Sequence, residues 1–74
     1  MILEIKLFSY FRDGIGKETT LDISEGETAR GVVERLGLDT SSVGHIIVND
    51  IDVSLDYEFV VGDKLTLFPL SAGG

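Results

Sequence analysis

Two stretches near the ends of this chain alternate apolar and polar residues with period 2. One short stretch between them repeats with the period of a helix. Near the start, Leu3, Ile5 and Leu7 alternate with Glu4, Lys6 and Phe8; near the end, Leu65 and Leu67 alternate with Lys64, Thr66 and Phe68. Successive side chains of a strand point to opposite faces, so each stretch reads as a strand with one apolar face. Between them Ala29, Val32, Val33 and Leu36 fall at i, i+3, i+4 and i+7, a single helical stripe. With 74 residues the chain has room for one domain and one thin core. A domain of that size buries only about 60% of its unfolded surface. One helix on a mixed sheet, a two-layer α+β arrangement, is the architecture these patterns predict.

The remaining elements follow from turn and capping residues. Residues 2–11 read as the first strand, 12–17 as a turn carrying Gly14 and Gly16, and 18–23 as a second strand with Thr19, Leu21 and Ile23 on one face. Residues 24–27 are a polar break. Thr28 then suits the N-cap of a helix over 29–36, and Gly37 suits its left-handed C-terminal cap. Gly31 inside that helix costs about 1 kcal/mol relative to alanine, so the helix depends on packing. Residues 38–44 read as a loop with one helical turn, 45–48 as a strand, Asn49-Asp50 as a turn and 51–53 as a brief edge strand. Residues 56–59 read as a single turn with an aromatic anchor, and Gly62-Asp63 leads into a last strand over 64–68. Pro69 cannot donate to a ladder, so the domain is expected over 1–69, with 70–74 a free tail making no ladder bonds. The expected core is Leu3, Ile5, Leu7, Leu21, Ile23, Val32, Val33, Leu36, Ile46, Val48, Leu65 and Leu67. A hairpin, a crossing helix and a return to the sheet is the β-grasp order of ubiquitin-like domains.

Composition removes several classes of function. The chain has no cysteine, which excludes disulfides, thiolate metal sites and thiol catalysis, and it has one histidine. No apolar run approaches the ~18 residues of a membrane span, and no signal peptide opens the sequence, so a cytoplasmic domain without membrane contact is expected. The net charge of −7 disfavours nucleic acid, whose binding needs clustered Lys and Arg. Residues 36–63 hold six acids, Asp39, Asp50, Asp52, Asp56, Glu58 and Asp63, and no Lys or Arg. That distribution fits either a solvated surface or an acidic face that steers a basic partner. A chain this short cannot wall off a deep active site, so its function is expected to involve a partner.

Two motifs fail on inspection. Gly14-Ile15-Gly16-Lys17 lacks the earlier glycine and the following hydroxyl of a phosphate loop, where Phe11 and Glu18 stand instead. Asp50, Asp52 and Ser54 open a calcium-loop spacing, but Leu55 and Val61 occupy its glycine and glutamate positions. His45 has no evident nucleophile partner and reads as a strand-end side chain.

Two features carry function. If Leu3, Ile5, Leu7, Leu65 and Leu67 face the helix, then Phe8 and Phe68 fall on the opposite, polar face. In a β-grasp sheet the first and last strands are neighbours, so the two rings meet near the exit of the tail, as an interface patch. The tail itself ends Ser71-Ala72-Gly73-Gly74. Glycine without a Cβ lets an extended tail thread a narrow channel and leaves its carboxylate open to attack. Adenylation would turn that carboxylate into an acyl donor, and sulfur could then replace the leaving group.

With these residues on view, the chain resembles the MoaD/ThiS sulfur carriers, relatives of ubiquitin. The likeness rests on Phe8-x-x-x-Arg12 with Gly16, Val48-Asn49, Gly62-Asp63 and Phe68-Pro69-x-x-x-Gly73-Gly74, and it covers the whole length. The Phe-Pro before the tail looks like the MoaD branch, the small subunit of molybdopterin synthase. The resemblance implies an E1-like adenylating enzyme of the MoeB/ThiF type that uses ATP on the Gly74 carboxylate, with no cofactor bound by this chain. It further implies a sulfurtransferase that completes a thiocarboxylate, and a large synthase subunit of the MoaE type that receives the tail, Leu70, Ser71, Ala72 and Gly73, in a channel. By the same resemblance Phe8, Arg12, Phe68 and Pro69 contact the partner. A further family contact position, apolar elsewhere, corresponds here to Asp52. A ThiS-like carrier for thiazole synthesis, and a ubiquitin-like modifier joined to lysines through Gly74, use the same chemistry and remain alternatives.

Overall fold

The first strand, β1, spans Ile2–Leu7 in the computed structural model, which describes residues 1–70. It buries Leu3, Ile5 and Leu7 and exposes Ile2, Glu4 and Lys6, the alternation read from the sequence. Four more strands complete one sheet: β2 (Glu18–Asp22), β3 (Val43–Val48), β4 (Ile51–Asp52) and β5 (Lys64–Pro69). Their order is β2-β1-β5-β3-β4. β1 and β5 are parallel, with Leu7 opposite Leu67, and the other pairings are antiparallel. One helix, α1 (Ala29–Arg35), buries Ala29, Val32 and Val33 in the core. The architecture is the expected α+β, ubiquitin-like β-grasp fold.

Helix α1 has only seven residues, and both of its ends are closed. The Thr28 hydroxyl accepts the Gly31 amide at 3.2 Å. At the other end Gly37 sits at φ 80, its amide bonding the Glu34 carbonyl and the Leu38 amide bonding the Val33 carbonyl. That pair of bonds is the Schellman closure, which needs the left-handed residue that glycine supplies without a Cβ penalty.

The strand expected over 2–11 stops at Leu7. By the β1–β5 register an extended residue 11 would lie opposite residue 71, beyond the end of β5 at Pro69. Instead Ser9 takes φ 57 and Ser9–Arg12 forms a 3-10 turn, which brings Phe11 into the core at 2% exposure. Phe11 and Phe59 are buried though absent from the expected core, as is Ala29. Leu21 and Leu36 are only partly buried at the core's margin. Phe59 is fully buried because its amide bonds the Glu27 carbonyl and its carbonyl accepts from Gly26, which fixes the segment under α1's entry.

Asn49 and Asp50 carry φ of 51 and 69, the pattern of a type I′ turn, and join β3 to β4. Asn49 also ties that hairpin to β5. Its side-chain oxygen accepts the Lys64 amide at 3.0 Å and its NH2 donates to Asp63 at 2.7 Å. Asp63 is 5% exposed and accepts two more hydrogen bonds, from the Tyr57 hydroxyl at 2.8 Å and the Val60 amide at 3.0 Å. Burial raises the Asp63 pKa, but the hydrogen bonds from Val60, Tyr57 and Asn49 outweigh it and hold the carboxyl below its ordinary range.

The last strand runs one residue further than expected, with Pro69 opposite Val43. The register slips between Val43 and His45, so Gly44 is the extra residue of a β-bulge. The β3–β5 ladder ends at Pro69, but Leu70 is not part of the expected free tail, since its amide donates to the Ser42 carbonyl at 2.7 Å. Ser42 closes a 3-10 turn (Thr40–Ser42) that presents this carbonyl beyond the end of the β3 ladder.

Candidate interaction face

The sheet face away from α1 is set by strand parity. On β1 and β5 it carries Glu4, Lys6, Lys64 and Thr66, a polar surface, until the strands reach Phe8 and Phe68. The Phe8 amide still bonds the Leu67 carbonyl at 3.2 Å, so Phe8 continues the β1–β5 ladder by one residue. Its ring therefore falls beside that of Phe68. The two rings stack with centroids 4.5 Å apart and planes 13° from parallel. Each is half-buried.

The stack extends on both sides into a row that crosses the sheet. The Arg12 guanidinium carbon lies 4.9 Å from the Phe8 ring centroid, within cation–π range. The 3-10 turn after Phe8 delivers it there, and its Nε–H donates to the Leu7 carbonyl at 2.7 Å. On the far side His45 is the register partner of Phe68 on β3, with its ring edge-on at 6.4 Å. His45 Nδ1 in turn lies 2.9 Å from an Asp52 carboxylate oxygen on β4. The row thus runs guanidinium, phenyl, phenyl, imidazole, carboxylate. Pro69, half-buried, and Leu70, 52% exposed, continue β5 from one end of it.

The structure brings Phe8, Arg12 and Phe68 together on the open face, and Pro69 and Leu70 follow Phe68 along the chain at the end of β5. Ser71, Ala72, Gly73 and Gly74 lie outside the described residues. His45 joins the site although its sequence context marked it only as a strand-end residue. Its place depends on pairing with Phe68 across β3 and β5, which no local spacing reveals. Asp52, which the resemblance set at a partner-contact position, is the partner of that histidine.

The acids of residues 36–63 divide by role. Asp63 is buried in its hydrogen-bond network. Asp39 accepts the Ser41 amide at 2.9 Å and hydroxyl at 2.8 Å, backbone bond first, and both lower its pKa. Asp50, Asp52, Asp56 and Glu58 are exposed. Asp56 lies 3.6 Å from Arg30, a surface pair of small energetic weight. The Gly14–Gly16 segment is a turn with both glycines at positive φ, as expected of a hairpin connection. Among the described residues no group of three His, Asp or Glu side chains could hold a metal ion, and no helix is long and apolar enough to cross a membrane.

Comparison with known proteins gives this geometry a context. The sequence model of the ThiS family matches residues 5–74. No curated protein matches the chain at a significant level. Among solved structures it is similar to a Pyrococcus furiosus protein provisionally described as molybdopterin converting factor, subunit 1. That likeness has 25% identity and a TM-score of 0.76, and covers 93% of this chain and 97% of the other. SAMP1 from Haloferax volcanii has 21% identity and a TM-score of 0.79, with both chains fully covered. The Haloferax volcanii HVO 2177 protein has 22% identity and a TM-score of 0.80, covering 100% of this chain and 87% of the other. At those identities the two Haloferax likenesses speak for the fold alone.

Proposed function

The chain belongs to the ThiS family of ubiquitin-like sulfur carriers, and from that membership we propose that it carries sulfur on Gly74 for molybdopterin synthesis. An E1-like enzyme activates the terminal carboxylate. A carboxylate oxygen attacks the α-phosphorus of ATP, pyrophosphate leaves, and an acyl adenylate forms. A sulfurtransferase persulfide then attacks the carbonyl carbon and expels AMP to give an acyl disulfide, and a thiol reductant cleaves its S–S bond to leave the thiocarboxylate. In a large synthase subunit that sulfur passes to a pterin precursor. ATP belongs to the activating enzyme.

One observation supports this reading above the others. The stacked pair Phe8 and Phe68 lies half-buried at the end of β5 from which the terminal residues follow. An aromatic patch beside the start of a reactive tail lets one partner hold the domain and receive the tail in a single docking event. Arg12 over Phe8 adds a cation at the rim. Phe68-Pro69, and the similarity to the Pyrococcus furiosus protein, favour the molybdopterin branch over the thiazole branch.

A second reading, a modifier joined to lysines through Gly74, draws on the same Gly73-Gly74 end. Mass spectrometry of protein purified from its host separates the two. A carrier shows free chain with one terminal oxygen replaced by sulfur. A modifier shows Gly74 in isopeptide bonds to many proteins.

A further inference from the structure

Strand β3 leaves no room for a side chain at Gly44, against the end of β5. At Gly44, a Cβ would lie 2.8 Å from the Pro69 carbonyl oxygen, 3.0 Å from the Pro69 carbonyl carbon and 3.1 Å from the Leu70 Cα. These neighbours are backbone atoms, so no rotamer change relieves the contact. Gly44 does not need glycine for its own φ, since it is not among the residues at positive φ. What it lacks is the side chain that would push residues 69 and 70 outward. The bulge between Val43 and His45 supports the same placement, because the extra residue turns this part of β3 toward the end of β5. Just beyond it, the Ser42 carbonyl holds the Leu70 amide at 2.7 Å.

We infer that Gly44 is a positioning residue for sulfur loading, one that fixes the point from which residues 71–74 reach the activating enzyme. The inference rests on the carrier function proposed above. Four residues extend at most roughly 14 Å. With so short a reach, the direction and origin set at Leu70 decide where the Gly74 carboxylate can arrive. Displacing that origin by an ångström misplaces the reacting carbon, and errors of this size in positioned chemistry cost up to about 100-fold in rate. Gly44 touches neither ATP nor the reacting carboxylate in this scheme; it acts through Pro69 and Leu70.

The test compares wild type with Gly44→Ala and Gly44→Val in two measurements. The first is amide hydrogen exchange of the free protein by NMR. Leu70 should be protected in wild type and lose that protection in both variants, while Ile46 and Leu67 keep theirs. The second is ATP–pyrophosphate exchange with the cognate adenylating enzyme. The variants should lose roughly 10- to 100-fold in kcat, Val more than Ala. KM for the carrier should change less than kcat, because Phe8 and Phe68 keep their places while Pro69 and Leu70 move. Equal kcat in Gly44→Ala and wild type, or an unprotected Leu70 amide in wild type, overturns the inference alone. A wild-type chain that supports no exchange overturns the carrier reading and the role of Gly44 with it.

Discussion

Tyr57 donates its hydroxyl proton to the buried Asp63 carboxylate across 2.8 Å, and the bond displaces the pKa values of the two groups in opposite directions. For Tyr57 the bond to Asp63 comes first among the causes, followed by burial, and its pKa rises above 10.0. For Asp63, burial works upward but is outweighed by hydrogen bonds from Val60, Tyr57 and Asn49, so its pKa falls below 3.8. A depressed carboxylate contributes stability that is present above its unfolded pKa and lost as pH falls through the folded one. A raised phenol contributes stability that is present below its unfolded pKa and lost as pH rises through the folded one. The pair therefore favours the fold across the neutral range and weakens it at both extremes. Chemical denaturation as a function of pH should show a fall in stability below about pH 4 that is smaller in Asp63→Asn. An acid limb identical in the two proteins would assign that limb to other carboxylates.

At neutral pH Asp63→Asn should itself cost about 1–3 kcal/mol, because an amide NH2 would face donors that now share two carboxylate oxygens. The loss should be greater than in Asp56→Asn, whose partner Arg30 is a surface neighbour at 3.6 Å. Urea midpoints of the two variants make the comparison. Equal midpoints would mean that the Asn49–Asp63–Tyr57 network adds nothing to the fold.

Gly31 offers the opposite change. It lies inside α1, does not have positive φ, and an added Cβ would meet Glu27 and Thr28 side-chain atoms at 3.6 Å, an ordinary contact distance. Gly31→Ala should stabilise the protein by about 0.5–1 kcal/mol. Thermal unfolding measures it. A lowered midpoint would show that the Glu27 side chain, held by Arg35 at 3.1 Å, cannot accommodate the methyl group.

Phe8→Ala and Phe68→Ala should separate folding from binding. Each ring is half-buried against the other, so the stacking lost is worth about 1 kcal/mol of stability. Affinity for the partner should drop by about 1–3 kcal/mol for each, the range of interface anchors. A double-mutant cycle in stability should show coupling between the two, as residues in contact do. Large losses of stability with unchanged partner affinity would make the rings structural and remove them from the interface.

Much of this was legible in the sequence, and the exceptions have physical causes. Leu3, Ile5, Leu7, Leu65 and Leu67 revealed the sheet because period 2 over a half-buried strand is a local signal. Thr28 and Gly37 revealed the helix ends because capping is local too. Phe11 and Phe59 escaped because they are buried from irregular segments, where no period marks the inner side. The open-face stack was legible from parity once β1 and β5 were taken as neighbours. His45 and the Leu70–Ser42 bond were not, since both depend on the β3–β5 register and its bulge at Gly44.

The central claim is that the Gly74 carboxylate is the sulfur-bearing group. Reconstituted sulfur transfer, with the cognate adenylating enzyme, a sulfurtransferase and the large synthase subunit, tests it through deletion of Gly74. The fold should be unaffected, because the described core contains nothing beyond Leu67. The carboxylate would stop short by the length of one extended residue, about 3.5 Å, far outside what positioned chemistry tolerates. Loss of transfer with an unchanged unfolding curve is the predicted result. Full transfer from the shortened chain would contradict the assignment of sulfur carriage to Gly74.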